Sequence, residues 1–95
     1  MAKKTEASSN ICVEVQLRDG TLSMYIGREV RRDGKQITLS DASWVACTGR
    51  RHLFFAGSGD ANVEIEPYPD TIEITLPVDG AIFTTWPHPL PRQAK

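Results

Sequence analysis

Two Asp-Gly pairs, Asp19-Gly20 and Asp33-Gly34, fall between runs in which aliphatic residues recur at every second position. That punctuation confines the first forty residues to antiparallel hairpins. Ile11, Val13, Val15 and Leu17 alternate with Cys12, Glu14 and Gln16. A strand here lays the aliphatics on one face and turns Cys12 and Gln16 outward. Asp-Gly supplies the positive φ of a tight hairpin turn. A second strand runs from Leu22 to about Arg31, with Leu22, Met24 and Ile26 in phase and Gly27 marking a bulge or sharp bend. Ile37 and Leu39 define a third, short strand. Three strands and two tight turns make a meander.

Beyond it the signal is mixed. Ser40-Asp41-Ala42-Ser43 reads as a turn or a helix start, and Trp44-Val45-Ala46-Cys47 is an apolar patch. Arg50 to Gly57 reads either as a short helix, with Leu53 and Ala56 on one side, or as a strand through Leu53-Phe54-Phe55. Gly57-Ser58-Gly59-Asp60 is a connection. It lacks the Lys-Ser/Thr ending of a phosphate loop. β patterning returns at Val63 and Ile65, at Ile72, Ile74 and Leu76, and from Ala81 to Trp86. Six or seven short strands predict a mainly β fold, a small antiparallel barrel or curled meander sheet with room for one short helix. Residues 1–10 read as a flexible arm, 11–86 as one β domain, and 87–95, interrupted by Pro87, Pro89 and Pro91, as an extended tail, frayed or laid across a surface.

Ninety-five residues suffice for one domain with a modest core. A net charge of −1 argues against a dedicated nucleic-acid binder. Residues 1–51 carry nine Lys/Arg against six Asp/Glu, whereas 52–95 carry two against six, and the run Asp60 to Asp79 has no basic residue. Two cysteines, a polar stretch where a leader needs an apolar core, and no spanning apolar run predict a reduced cytoplasmic protein without a membrane partner.

The search for chemistry yields no catalytic residue, metal ligand set or cofactor motif. His88 lies among prolines, and His52 follows two arginines that disfavour its protonated form. A Cys47–His52 nucleophile pair lacks an orienting third group. The expectation is therefore a protein that is not an enzyme. The candidate binding residues are Arg28, Arg31, Arg32 and Lys35 around the second turn, and Arg50 and Arg51 near Trp44. Brought together, they suit an anionic, nucleotide-like ligand or an acidic protein surface; kept apart, they are turn residues that hold the meander in solution. Trp44, Phe54, Phe55, Phe83 and Trp86 are core candidates, with Phe83 and Trp86 on opposite faces of their strand.

The segment Gly27-Arg28-Glu29-Val30-Arg31-Arg32-Asp33-Gly34-Lys35-Gln36-Ile37-Thr38-Leu39-Ser40-Asp41-Ala42, followed by Trp44, Gly49, Leu53, Ala56 and Gly57 and by the strand region Ile74 to Ile82, resembles small phage- and prophage-encoded β proteins of unknown function. The likeness spans about residues 27–86. It departs before Gly27, where an aromatic-rich strand is missing, and at the polar pair Arg50-Arg51. The resemblance implies a phage context in the bacterial host cytoplasm and a compact β fold, and carries no site residue with it. The resulting expectation is a non-catalytic accessory protein that binds a host or phage macromolecule. Self-assembly is the alternative, as a homo-oligomer on the first strand's edge with the acidic half meeting the Arg28–Lys35 turn of a neighbour. An oligomeric sink for an anionic ligand is the third reading.

Overall fold

The computed structural model describes residues 9–94. The order along the chain is β1 (Asn10–Gln16), β2 (Leu22–Arg32), β3 (Gln36–Cys47), α1 (Arg51–Phe55), β4 (Glu64–Pro67), β5 (Ile74–Pro77) and β6 (Ile82–Thr85). All pairings are antiparallel, and the six strands make one sheet in the order β4-β3-β2-β1-β6, with β5 sharing the outer side of β3 with β4. The fold is thus mainly β with one short helix, and the sheet is open rather than closed into a barrel. The segment expected as a flexible arm lies mostly outside the described residues, and its last residue, Asn10, already belongs to β1.

The meander forms as its alternation predicts, but its two turns close differently. Gly20 adopts φ +90°, and its N–H donates to the Leu17 carbonyl at 2.9 Å. Gly34 is not in the left-handed region. There the Asp33 N–H donates to the Gln36 carbonyl at 2.9 Å, and the Asp33 carboxylate accepts the Lys35 and Gln36 N–H groups at 2.7 and 2.9 Å. The expectation of positive φ at Gly34 is corrected accordingly.

The third strand is far longer than expected. Ser40 to Ser43 is neither turn nor helix start but the middle of β3, passed as a bulge. Ile26 pairs with Ser43 and Arg28 with Ser40, so β3 spends one residue more than β2. Asp41 absorbs it at φ 49° and accepts a hydrogen bond from Arg28 at 2.7 Å. The extra residue restores phase, so Leu39 and Ala42 both reach one core cluster. Gly27 faces this point. A Cβ there would stand 3.0 Å from Leu39 Cβ and 3.1 Å from both Ala42 Cβ and Ser40 O, so the close approach requires glycine.

The sheet buries apolar side chains on both faces. One face carries Cys12, Met24, Ile26, Val45 and Ile65, covered by Phe54, Val63 and Trp86. The opposite face carries Val13, Ile37, Leu39, Ala42 and Leu76, flanked by Tyr25, Tyr68 and Phe83. Cys12 is therefore not an outward position, and even Glu14 is buried. Alternation alone assigned β1 a single covered face, because it cannot register a helix and a tail arriving from later in the chain. On α1 the buried side chain is Phe54, not Leu53 with Ala56. Phe83 and Trp86 do point oppositely, and each joins a core.

The proline-rich tail is laid across the helix-covered face. Trp86 Nε1 donates to the Pro89 carbonyl at 3.1 Å, Asn10 Nδ2 to the His88 carbonyl at 3.1 Å, and Ser43 Oγ to the Pro91 carbonyl at 2.6 Å. Arg92 ends the strap at the gap between β4 and β5. Its guanidinium donates to the carbonyls of Ala42 and Tyr68 and to the Asp70 carboxylate.

Candidate binding surfaces

The structure separates the arginines into two groups. Arg28, Arg31, Arg32 and Lys35 occupy one end of the β2–β3 hairpin, whereas Arg50 and Arg51 follow its other end, beyond the twelve residues of β3. Twelve residues of straight strand span about 35 Å, and the two groups also differ in face. Arg32 lies over the Phe83 ring, 4.5 Å from Cζ to the centroid, on the side opposite α1. Three of the cations hold a carboxylate closely: Arg28 pairs with Asp41 at 2.7 Å, Arg32 with Glu29 at 2.8 Å, and Arg51 with Glu14 at 2.9 Å. Arg31 lies 3.8 Å from Glu73. Lys35 is exposed, and Arg50 contributes its backbone N–H to Asp60 at 3.1 Å. The loop Gly57 to Asp60 connects elements, and its acid ties down the entry to α1.

Trp44 stands with neither arginine group. It is half-buried in a cross-strand row on the face opposite α1 that reads Phe83, Val13, Tyr25, Trp44, Glu66, each residue directly opposite the next on the neighbouring strand. Trp44, Glu66, Pro67, Tyr68 and Pro69 line a cavity of about 190 Å³. Tyr68 is fixed through both backbone groups: its N–H donates to Ala42 at 2.9 Å, and its carbonyl accepts from Arg92 at 2.6 Å. Burial first, and then neighbouring Tyr25, raise the Tyr68 phenol above its ordinary pKa.

The two borders of the sheet differ in kind. The β4–β5 border carries Pro67, Pro77, Glu64 and Glu66, residues that discourage further pairing. β6 carries no charge and no proline. β1 is not the edge expected, because β6 pairs along Ile11 to Glu14 and leaves only the Val15–Gln16 end of the strand without a second neighbour. Trp86 N–H points inward to the Asn10 carbonyl. Backbone groups alternate sides along a strand, so those of Thr84 and Ile82 point inward too, and those of Phe83 and Thr85 face away from the sheet. Ile82, half exposed at 51%, lies beside this border.

Residues with reactive chemistry have structural partners. His88 Nε2 donates to the Phe55 carbonyl at 2.8 Å, and its ring packs edge-on against Trp86. Burial pushes the Cys12 thiol up to about 12, with nearby Glu14 adding to the shift and Arg51 opposing it. Cys47 is exposed and accepts the Gly49 N–H at 3.4 Å, and His52 is exposed on α1. A groove of about 280 Å³ between α1 and the tail is floored by Phe54 and Trp86 and bordered by His88. Among the described residues, no group of three or more His, Cys, Asp or Glu is placed to hold a metal. No helix among them is long and apolar enough to cross a membrane.

No protein-family model matches this chain, and no curated protein or solved structure matches it either.

Proposed function

We propose that this is a non-catalytic accessory binding protein of the phage-encoded kind, acting in the bacterial cytoplasm by adding a strand of a macromolecular partner to the open border of β6. The contrast between the two borders of the sheet carries this reading: one is blunted by prolines and glutamates, the other is uncharged and directs the backbone groups of Phe83 and Thr85 outward. Strand addition draws affinity from main-chain hydrogen bonds and selectivity from alternate side chains, for which half-exposed Ile82 is the apolar anchor. Pro87 follows β6 closely and limits the ladder to these two residues.

A second copy of the chain is the alternative partner, favoured by one feature. A two-fold axis through Thr84 sets Phe83 of each copy opposite Thr85 of the other, so every outward group finds its complement. The test is Thr85→Pro, which removes an outward donor and leaves the β1 ladder intact. Affinity capture and light scattering are run on both proteins. A partner, or a second copy, held by the wild type and lost by the variant supports edge pairing. Equal retention by both proteins sinks it.

A further inference from the structure

Trp44 has neighbours that its place in the sequence does not disclose. Its row ends in an acid: Glu66 lies directly opposite it on β4, so both side chains leave the same face of the sheet. Glu66 is exposed and, among the described residues, makes no ion pair, whereas Asp70 and Glu73 of the same acidic run are engaged by Arg92 and Arg31. The cavity between them is walled by Trp44, Tyr68 and two prolines. Its walls are held in place. Tyr68 is fastened at both backbone groups, and Pro67 and Pro69 restrict the chain on either side of it.

Trp44, Tyr68 and Glu66 bring an indole, a phenol and a carboxylate to the residues around this small opening, and these are the groups that recognise an organic cation. The ring quadrupole attracts positive charge, the carboxylate adds a direct attraction, and the alkyl groups of a substituted ammonium fill apolar space that a hydrated metal ion does not. We propose that Trp44, Tyr68 and Glu66 form a binding site for an alkylammonium head, free or at the end of a lysine side chain. The anionic ligand that Trp44 suggested beside Arg50 and Arg51 is the wrong sign for a cavity whose charged lining residue is Glu66. The site lies at the opposite border of the sheet from β6, and does not depend on edge pairing.

The experiment titrates the full chain with tetramethylammonium while following the Trp44 indole N–H and the Glu66 and Tyr68 backbone amides by NMR; the amides are the readout in the Trp44 variant. The Trp86 indole, bonded to Pro89, serves as an internal reference. We expect a saturable shift at Trp44, binding roughly tenfold weaker for the uncharged near-isostere neopentyl alcohol, weaker binding by Glu66→Gln, and none by Trp44→Leu. Because Glu66 is exposed, Glu66→Gln keeps the fold and leaves the charge contribution measurable on its own. A trimethyllysine peptide then distinguishes the sources: tighter binding than tetramethylammonium assigns the head to a protein side chain, and equal binding assigns it to a free cation. Equal affinity for the uncharged isostere, undiminished affinity in both variants, or no saturable shift overturns the proposal.

Discussion

The Arg51 guanidinium on α1 grips both carboxylate oxygens of Glu14 on β1, at 2.9 and 3.2 Å, while its Cζ lies 5.1 Å from the Phe55 ring centroid. The partnership is unequal: the Glu14 side chain is 5% exposed and that of Arg51 57%. One short helix is thereby tied to the sheet through a charge that the sheet has already desolvated.

Removing the exposed partner should cost more than an ordinary surface pair. Arg51→Met keeps most of the stem but leaves Glu14 buried without its cation, and we expect a loss of about 2 kcal/mol in urea unfolding. The double variant Glu14→Gln/Arg51→Met should recover part of it. A single variant within about 0.5 kcal/mol of wild type would mean that Glu14 finds water instead.

Cys12 gives stability a pH signature. Its thiol titrates at about 12 in the folded chain against a reference of 9.0. The folded state therefore holds this proton more tightly. The contribution is fully present below pH 9 and declines by about 1.4 kcal/mol per pH unit as pH rises through the window between the two values. Cys12→Ala should lack this decline, so the stability difference between the two proteins should narrow above pH 9. Parallel curves across that window would show the thiol to be more solvated than its surroundings imply. In native protein, thiol reagents should modify exposed Cys47 far faster than Cys12.

The glycines should separate by substitution to alanine. Gly20→Ala strains a φ of +90° and should cost about 1 kcal/mol. Gly34→Ala meets open space at an ordinary φ, and should stay within about 0.5 kcal/mol. Gly27→Ala drives a methyl against Leu39, Ala42 and the Ser40 carbonyl, and should cost about 1–3 kcal/mol. Thermal melts of the three variants check the order, and a Gly34 variant as damaged as Gly27 contradicts it.

Arg92 should behave as part of the core's perimeter despite its position in the tail. Arg92→Ala removes donors from the Ala42 and Tyr68 carbonyls, and we expect a loss of about 2 kcal/mol. Gln93→Ala, at an exposed neighbour, should change nothing measurable. Equal melting of both variants would show the strap to be dispensable.

Sequence pattern carried the meander because alternation and turn chemistry are local: Ile11 to Val15, Asp19-Gly20 and the phase of Met24 and Ile26 state their own geometry. It failed where distant contacts decide. Ser40-Asp41-Ala42 has the composition of a turn, but Arg28 on β2 holds Asp41 in a bulge and the strand continues. Cys12 and Glu14 alternate like surface residues and become core only when α1 and the tail arrive. The arginines cluster in sequence and part in space because a twelve-residue strand runs between them. Trp44 was legible as a binding candidate, but its partner Glu66 was not. Only the β3–β4 register opposes the two, and no local signal encodes that register.

The strap has a consequence for how the chain comes to be folded. Asn10 Nδ2 reaches the His88 carbonyl across 78 positions, and β1 receives its second neighbour only from residues near that end of the sequence. During synthesis the meander can assemble early, but β1 must wait with one side unpaired until β6 has emerged. Through that interval the β6-facing backbone groups of Cys12 and Glu14 stay unpaired, and the nascent chain offers them as a free strand edge. Yield in the cell should therefore respond to translation rate and to chaperone supply more sharply than the stability of the finished fold would suggest.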